Sequence, residues 1–168
     1  MNYYISDLHL FHNNIINLAH RPFRDVSEMH EALKKNWKRV VKKNDMVYIL
    51  GDLGLYHADE ISQFIRDLPG RKILITGNHD MKNLKNRNLR EAFVQITPYA
   101  EIKDNGRTVV LFHYPIEEWD GFYRGFYHLY GHVHDNDGEL AKIDRRYNVS
   151  CDKTDFTPMT LDQLIKRG

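Results

Sequence analysis

One cysteine, Cys151, is all the thiol this sequence holds, so no intrachain disulfide can form and nothing suggests a secreted, cross-linked fold. Charge of either sign is scarce in excess. The formal net charge is +1, which gives no electrostatic reason to expect a nucleic-acid or membrane partner. No apolar run approaches the roughly 20 residues needed to cross a bilayer. The opening Met1-Asn2-Tyr3-Tyr4-Ile5-Ser6-Asp7 lacks a basic region followed by an apolar core, so no signal peptide is expected. Repeats, low-complexity tracts and linker-like stretches are also missing. What remains is an ordinary hydrophobic fraction of 42% in 168 residues, the size of one domain, here residues 1–168, expected in the cytoplasm.

Histidine, by contrast, is plentiful. There are ten, and five of them fall in a set of five short stretches that also supplies Asp7, Asp52, Asn78 and Asp80. In order these are Asp7-Leu8-His9, Gly51-Asp52, Gly77-Asn78-His79-Asp80, His113-Tyr114 and Gly131-His132-Val133-His134. Each follows an apolar run of strand length. The sharpest is Lys72 to Thr76, after which Gly77 turns the chain and sets Asn78 and His79 at a strand end. Met46 to Leu50 is continuously apolar, as in a strand buried on both faces, and it ends at Asp52. Carboxyl ends of strands are where open α/β sheets place ligands. Asp7 and His9 are two apart, so extended backbone would aim both to one side. Singly, each stretch also has a structural reading. Asp7 could cap a helix, Asp52 could be a turn aspartate between glycines, and Gly77 to Asp80 could be a polar turn.

The intervening pattern is alternating strand and helix. Asn2 to Ile5 reads as a strand, and His12 to His20 as a helix broken at Pro22. Val26 to Val41 is the clearest helix, with Val26, Met29, Leu33, Trp37 and Val40 at three- and four-residue spacing. Ala58 to Leu68 is a second amphipathic helix. Met81 to Arg90 is polar and basic; it either helps draw in an anionic substrate or, the reading preferred, is simply solvated. The second half is strand-rich: Ala92 to Ile96, Tyr99 to Lys103, Arg107 to Phe112, Tyr127 to Tyr130 and Ile143 to Ser150. Asp104-Asn105-Gly106 predicts a tight hairpin. An aromatic, glycine-rich segment from Trp119 to Tyr127 is expected to be irregular, and the aromatics from Trp119 to Tyr130 either stack a base or, the reading preferred, pack the second sheet. Thr160 to Lys166 closes the chain as a helix.

Carboxylate oxygen and imidazole nitrogen suit Mn, Fe, Zn or Co better than Ca. Without a thiolate in the set, a structural zinc finger is excluded. The candidate ligands are Asp7, His9, Asp52, Asn78, His113, His132 and His134. They exceed the roughly four that one tetrahedral ion takes, and suffice for two if a carboxylate bridges. Ion pairs of this kind serve phosphoester hydrolysis. Arg21 could add a bidentate grip on a phosphate oxygen. His12, His57, Tyr114 and Asp152 are further polar or aromatic residues near the motifs.

Together, in this order, the five motifs from Asp7 to His134 resemble the calcineurin-like metallophosphoesterases, and the run Ile5 to Ile16 is similar to a small bacterial and phage branch of that family. The resemblance implies an α/β fold, a four-layer α/β/β/α sandwich with two packed mixed sheets and metals at its rim. It implies two divalent ions, manganese first, with iron, zinc, nickel or cobalt as alternatives. Asp7, His9 and His134 would hold one ion and Asn78, His113 and His132 the other, with Asp52 shared. His79 would be the catalytic histidine, oriented by Asp80, with Asn78 also touching substrate and a hydroxide held on the metals as the nucleophile. The sequence departs from the protein Ser/Thr phosphatases after Gly51-Asp52, which continues Leu53-Gly54-Leu55, and at Asp80, where they carry Glu. A small phosphoester, a diester and nucleotide-derived, is the expected substrate, with no membrane partner. A silent binding protein on the same fold and a nuclease of the same family are the alternatives.

Overall fold

The computed structural model describes residues 1–138 and 143–167. Two four-stranded sheets form its centre. The first takes β1 (Asn2–Ile5), β2 (Met46–Ile49), β3 (Arg71–Ile75) and β4 (Gln95–Thr97), in that order and all parallel. Its crossovers carry α1 (Ile15–Leu18), α2 (Val26–Val40), α3 (Ala58–Arg66), α4 (Asp80–Asn83) and α5 (Arg87–Arg90). The second sheet takes β5 (Tyr99–Asp104), β6 (Arg107–Phe112), β7 (Tyr127–Tyr130) and β8 (Arg146–Asn148); β5 and β6 are antiparallel, the other pairs parallel. α6 (Leu161–Arg167) ends the chain.

Alternation along the strands divides the core in two. Tyr3, Ile5, Val47, Ile49 and Leu74 face the helices and pack with Met29, Leu33, Trp37, Ile61 and Ile65. Tyr4, Tyr48, Leu50 and Ile75 face the second sheet and meet Val109, Leu111, Leu129 and Val149. Parallel strands buried on both faces are the reason Met46 to Leu50 has no polar position. Trp37, the largest fully buried side chain, donates its indole N–H to the Pro69 carbonyl at 3.0 Å.

The outer face of the second sheet is covered by the aromatic segment rather than by a long helix. It contains one 3₁₀ turn, Phe122–Arg124. Trp119 lies 5.4 Å from the buried His128 ring and donates to the Phe126 carbonyl. The segment packs the sheet, as its composition predicted.

Three boundaries differ from expectation, the first being the strand expected over Ile143 to Ser150, which is confined to Arg146–Asn148. Only Ile15–Leu18 of the predicted His12 to His20 helix is helical: residues 12 to 14 are turn or irregular backbone, and left-handed His20 (φ 48°) stops the helix from continuing. The strand expected over Ala92 to Ile96 is shifted to Gln95–Thr97, where it pairs with Ile73 to Ile75. The hairpin is as predicted: Asn105 (φ 49°) and Gly106 (φ 82°) form the two-residue turn that joins the Asp104–Arg107 pair. Among the described residues no helix is long and apolar enough to cross a membrane.

Candidate metal centre

Parallel β1, β2 and β3 deliver their carboxyl ends to one rim. The residues that follow carry Asp7 and His9, Asp52, and Asn78 and His79. β6 and β7, parallel to each other, bring His113, His132 and His134 to the corresponding end of the second sheet. The sheets are joined at this rim: the Ser6 N–H donates to Val149 at 2.9 Å and the Cys151 N–H to Ser6 at 3.0 Å.

The ligand loops are built from backbone that non-glycine residues rarely adopt. Asp7 (φ 56°), His9 (47°), Asp52 (56°), His132 (72°) and His134 (53°) are all left-handed. Such conformations cost on the order of 1–3 kcal/mol each and persist only where neighbours impose them. Here the first two loops are laced together: Asp7, His9 and Leu10 N–H groups donate to the Gly51, Asp52 and Leu53 carbonyls at 3.1, 3.0 and 2.7 Å. Asp7 and His9 therefore share a site through this strained loop. Extended alternation, the sequence-based reason, does not apply. Gly131 is required by close approach, since a Cβ there would overlap Ser6 Oγ and stand 2.5 Å from Asp7 Oδ2. Gly77 is required likewise, its Cβ overlapping Asp52 Oδ1.

Two groups of potential ligands result: Asp7, His9 and His134, and Asp52, His113 and His132. Asn78 joins the second, its Oδ1 lying 3.0 Å from His113 Nε2 and 3.1 Å from His132 Nδ1. Asp52 Oδ2 stands between the groups, 3.7 Å from His9 Nε2 and 3.5 Å from His113 Nε2. Donors about 2.1 Å from one ion at tetrahedral angles are roughly 3.4 Å apart, so these spacings suit a shared cation better than a hydrogen bond. The test of fit is His9. Both of its ring nitrogens are buried, and neither has a hydrogen-bond partner among the described residues. A buried imidazole with nothing to bond is costly, and a divalent ion would satisfy its lone-pair nitrogen.

Electrostatics agree. Burial pushes the His9 imidazole down to about 3, leaving it in the neutral form that binds metals. Burial acts to raise Asp52, but the His113 ring and the His79 N–H outweigh it and hold the carboxyl at about 2. Burial likewise lowers His132. His113 is raised despite its burial, by Asp52 and Asp7, while the Leu50 carbonyl at 2.7 Å takes its Nδ1 proton and leaves Nε2 toward Asp52.

Two sequence-based assignments are corrected. Asp80 does not orient His79. It is buried, and its carboxylate accepts the N–H groups of Gly77 (2.7 Å), Asp52 (3.0 Å) and Leu53 (2.9 Å), tying the second loop to the third. Arg21 is not free for a phosphate. It is 4% exposed, and its donors go to Asp152, Leu8, Met29 and Asp7. His79 itself is exposed at the rim, with Nε2 3.9 Å from Asp52 Oδ2 and its N–H donating to Asp52 Oδ1 at 3.0 Å.

Of the remaining residues near the motifs, the His12 ring is 5.6 Å from His9, and Tyr114 lies over His132 at 4.5 Å. His57 is exposed, pairs with Glu60 and belongs to neither group. The basic stretch after Asp80 is solvated or capping: Arg87 pairs with Glu91 and Arg90 donates to the Leu84 and Lys85 carbonyls. Ser6, Ser150 and Cys151, which line the joint between the sheets, had no signal in the sequence.

Residues 3–154 match the family described as calcineurin-like phosphoesterase, and the chain belongs to that family. It is 35% identical over 170 residues to "Uncharacterized protein MJ1445" of Methanocaldococcus jannaschii, covering 98% of this chain and 89% of that protein. Its similarity to "Gene 66 protein" of Mycobacterium phage L5 is 42% over 92 residues, 51% of this chain and 42% of the phage protein. The crystal structure of "the Protein of Unknown Function AQ665" from Aquifex aeolicus superposes with a TM-score of 0.81 at 29% identity, covering 100% of this chain and 99% of the other.

Proposed function

We propose that this chain is a dinuclear metal-dependent phosphoesterase acting on phosphodiesters, with a small, nucleotide-derived ester as substrate. The observation that carries the reading is Asp52 Oδ2, placed within 3.7 Å of a histidine from each ligand group. In this reading Asp7, His9 and His134 hold one cation, Asn78, His113 and His132 the other, and Asp52 both. Divalent ions so placed would bind phosphate oxygens and make a water acidic enough to attack at neutral pH.

The chain's own contribution is position and protons. Buried Asp7 and Asp52 supply negative charge that offsets two cations. The Leu50 carbonyl fixes the His113 tautomer. Exposed Asn78 and His79 face the open rim, where a diester can approach. His79 would give a proton to the departing oxygen, a role worth about 10²–10⁴ in rate. Manganese is the expected ion, and the enzyme is expected to work in the cytoplasm as one domain.

The test is hydrolysis of bis-p-nitrophenyl phosphate by chelator-stripped protein, with and without added Mn²⁺. Activity that appears only with the ion supports the reading. No hydrolysis with any first-row divalent ion would overturn it.

A further inference from the structure

Arg21 and Asp152 lie 131 residues apart in sequence, and their buried side chains meet in a two-pronged pair. Arg21 Nε donates to Asp152 Oδ1 at 2.8 Å, and Nη2 to Oδ2 at 2.9 Å. The other donors of the same guanidinium reach the loop that carries two ligands: Nη2 to the Asp7 carbonyl at 2.7 Å and Nη1 to the Leu8 carbonyl at 3.0 Å. A last contact, from Nη1 to Met29 Sδ at 3.1 Å, anchors the group on α2. Every N–H of the fork is therefore engaged.

On the far side, Asp152 Oδ2 receives His134 Nδ1 at 2.7 Å and Ser150 Oγ at 3.1 Å. A carboxylate on Nδ1 fixes the tautomer and leaves Nε2, on the other side of the ring, as the free lone pair of a residue that groups with Asp7 and His9. One guanidinium and one carboxylate thus set the backbone behind Asp7 and His9 and the ring of His134. None of their contacts reaches Asn78, His113 or His132. Those are held by other means: His113 by the Leu50 carbonyl, His132 by Tyr114 and by its N–H on Asp7.

We infer that Arg21 and Asp152 are positioning residues that preassemble one of the two cation sites, that of Asp7, His9 and His134, and leave the other unaffected. The inference rests on the two-ion reading above. It assigns Arg21 a role in holding metal in place of a role in holding phosphate.

The experiment is Mn²⁺ titration of chelator-stripped protein, with the free ion followed by its electron paramagnetic resonance signal. Wild type, Asp152→Asn, Ser150→Ala, His134→Ala and His132→Ala are compared, alongside thermal melting of the metal-free forms. Asp152→Asn should weaken one binding step by about 10–100-fold. It should be the step that His134→Ala removes, with the step that His132→Ala removes unchanged within about twofold. Ser150→Ala should weaken the same step by a smaller factor. Unchanged affinities in Asp152→Asn, or equal loss at both steps together with a lower melting temperature, would overturn the clamp. If Asp152→Asn does not fold, Ser150→Ala decides: selective weakening supports the clamp, and no change or equal loss overturns it. Wild type that binds no second ion would sink the two-ion reading and the clamp with it, whereas two wild-type steps with an unaltered Asp152→Asn sink the clamp alone.

Discussion

Replacing Asp80 with asparagine puts the corrected role of that residue to a quantitative test. Its carboxylate accepts three backbone N–H groups, from Gly77 and Asp52 on Oδ2 and from Leu53 on Oδ1. A carboxamide offers one oxygen. Whichever way it turns, at least one N–H faces an NH₂ group and goes unpaired, at about 1–3 kcal/mol. The bonds that survive lose their charge assistance, roughly 1 kcal/mol each. Opposing this, burial pushes the Asp80 carboxyl up to about 6 even with the Gly77 and Leu53 N–H groups pulling it down, so removing the charge returns part of the desolvation cost. The net expectation is a loss of about 2 kcal/mol for Asp80→Asn and about 3–5 kcal/mol for Asp80→Ala, which leaves all the donors bare. Urea unfolding of the metal-free variants at pH 7.5 measures both. Asp80→Asn at or above wild-type stability would refute the reasoning, since it would mean the loops are not held by an ionised acceptor.

His79→Ala should keep both ions while turnover falls by about 10²–10⁴; Mn²⁺ uptake and diester hydrolysis on the same sample separate the two. Gly131→Ala forces a methyl onto Ser6 Oγ and Asp7 Oδ2 and should cost about 1–3 kcal/mol, read by thermal melting. Acid should destabilise the fold through His128, which burial holds at about 4 and whose Nε2 accepts the Ile116 N–H. The unfolded imidazole takes its proton near 6.5, so between pH 6.5 and 4 the unfolded state binds more protons and stability falls with pH, by about 2 kcal/mol at pH 5. Unfolding free energies at pH 7.5 and 5 for wild type and His128→Gln check this, the variant losing less. Mn²⁺ at about 100 times its Kd should stabilise the protein by about 2.7 kcal/mol per site, a melting shift that chelator reverses.

Much of the fold was legible because it rests on local signals. Val26 to Val40 shows its helical face at three- and four-residue spacing, Asn105-Gly106 carries its own turn chemistry, and Met46 to Leu50 advertises a strand buried on both sides. The candidate ligand residues were legible as short motifs at strand ends, and the structure brings them to one rim. Their supports were not. The Arg21–Asp152 pair spans nearly the whole chain, and nothing in Arg21-Pro22-Phe23 distinguishes a clamp from a phosphate grip. The left-handed backbone of Asp7, His9, Asp52, His132 and His134 is held by neighbouring loops, and the mild preference of Asp and His for it does not single out these positions. Asp80 sits beside His79 in sequence, which suggested a pair, yet adjacent residues at a helix start point different ways.

The central claim is two cations that share Asp52. A crystal of the Mn²⁺-loaded protein, measured for anomalous scattering above and below the manganese edge, tests it most directly. The account predicts two peaks about 3.5–4 Å apart, one against Asp7, His9 and His134, the other against Asn78, His113 and His132, with Asp52 between them. A single peak, or none at saturating Mn²⁺, would contradict it.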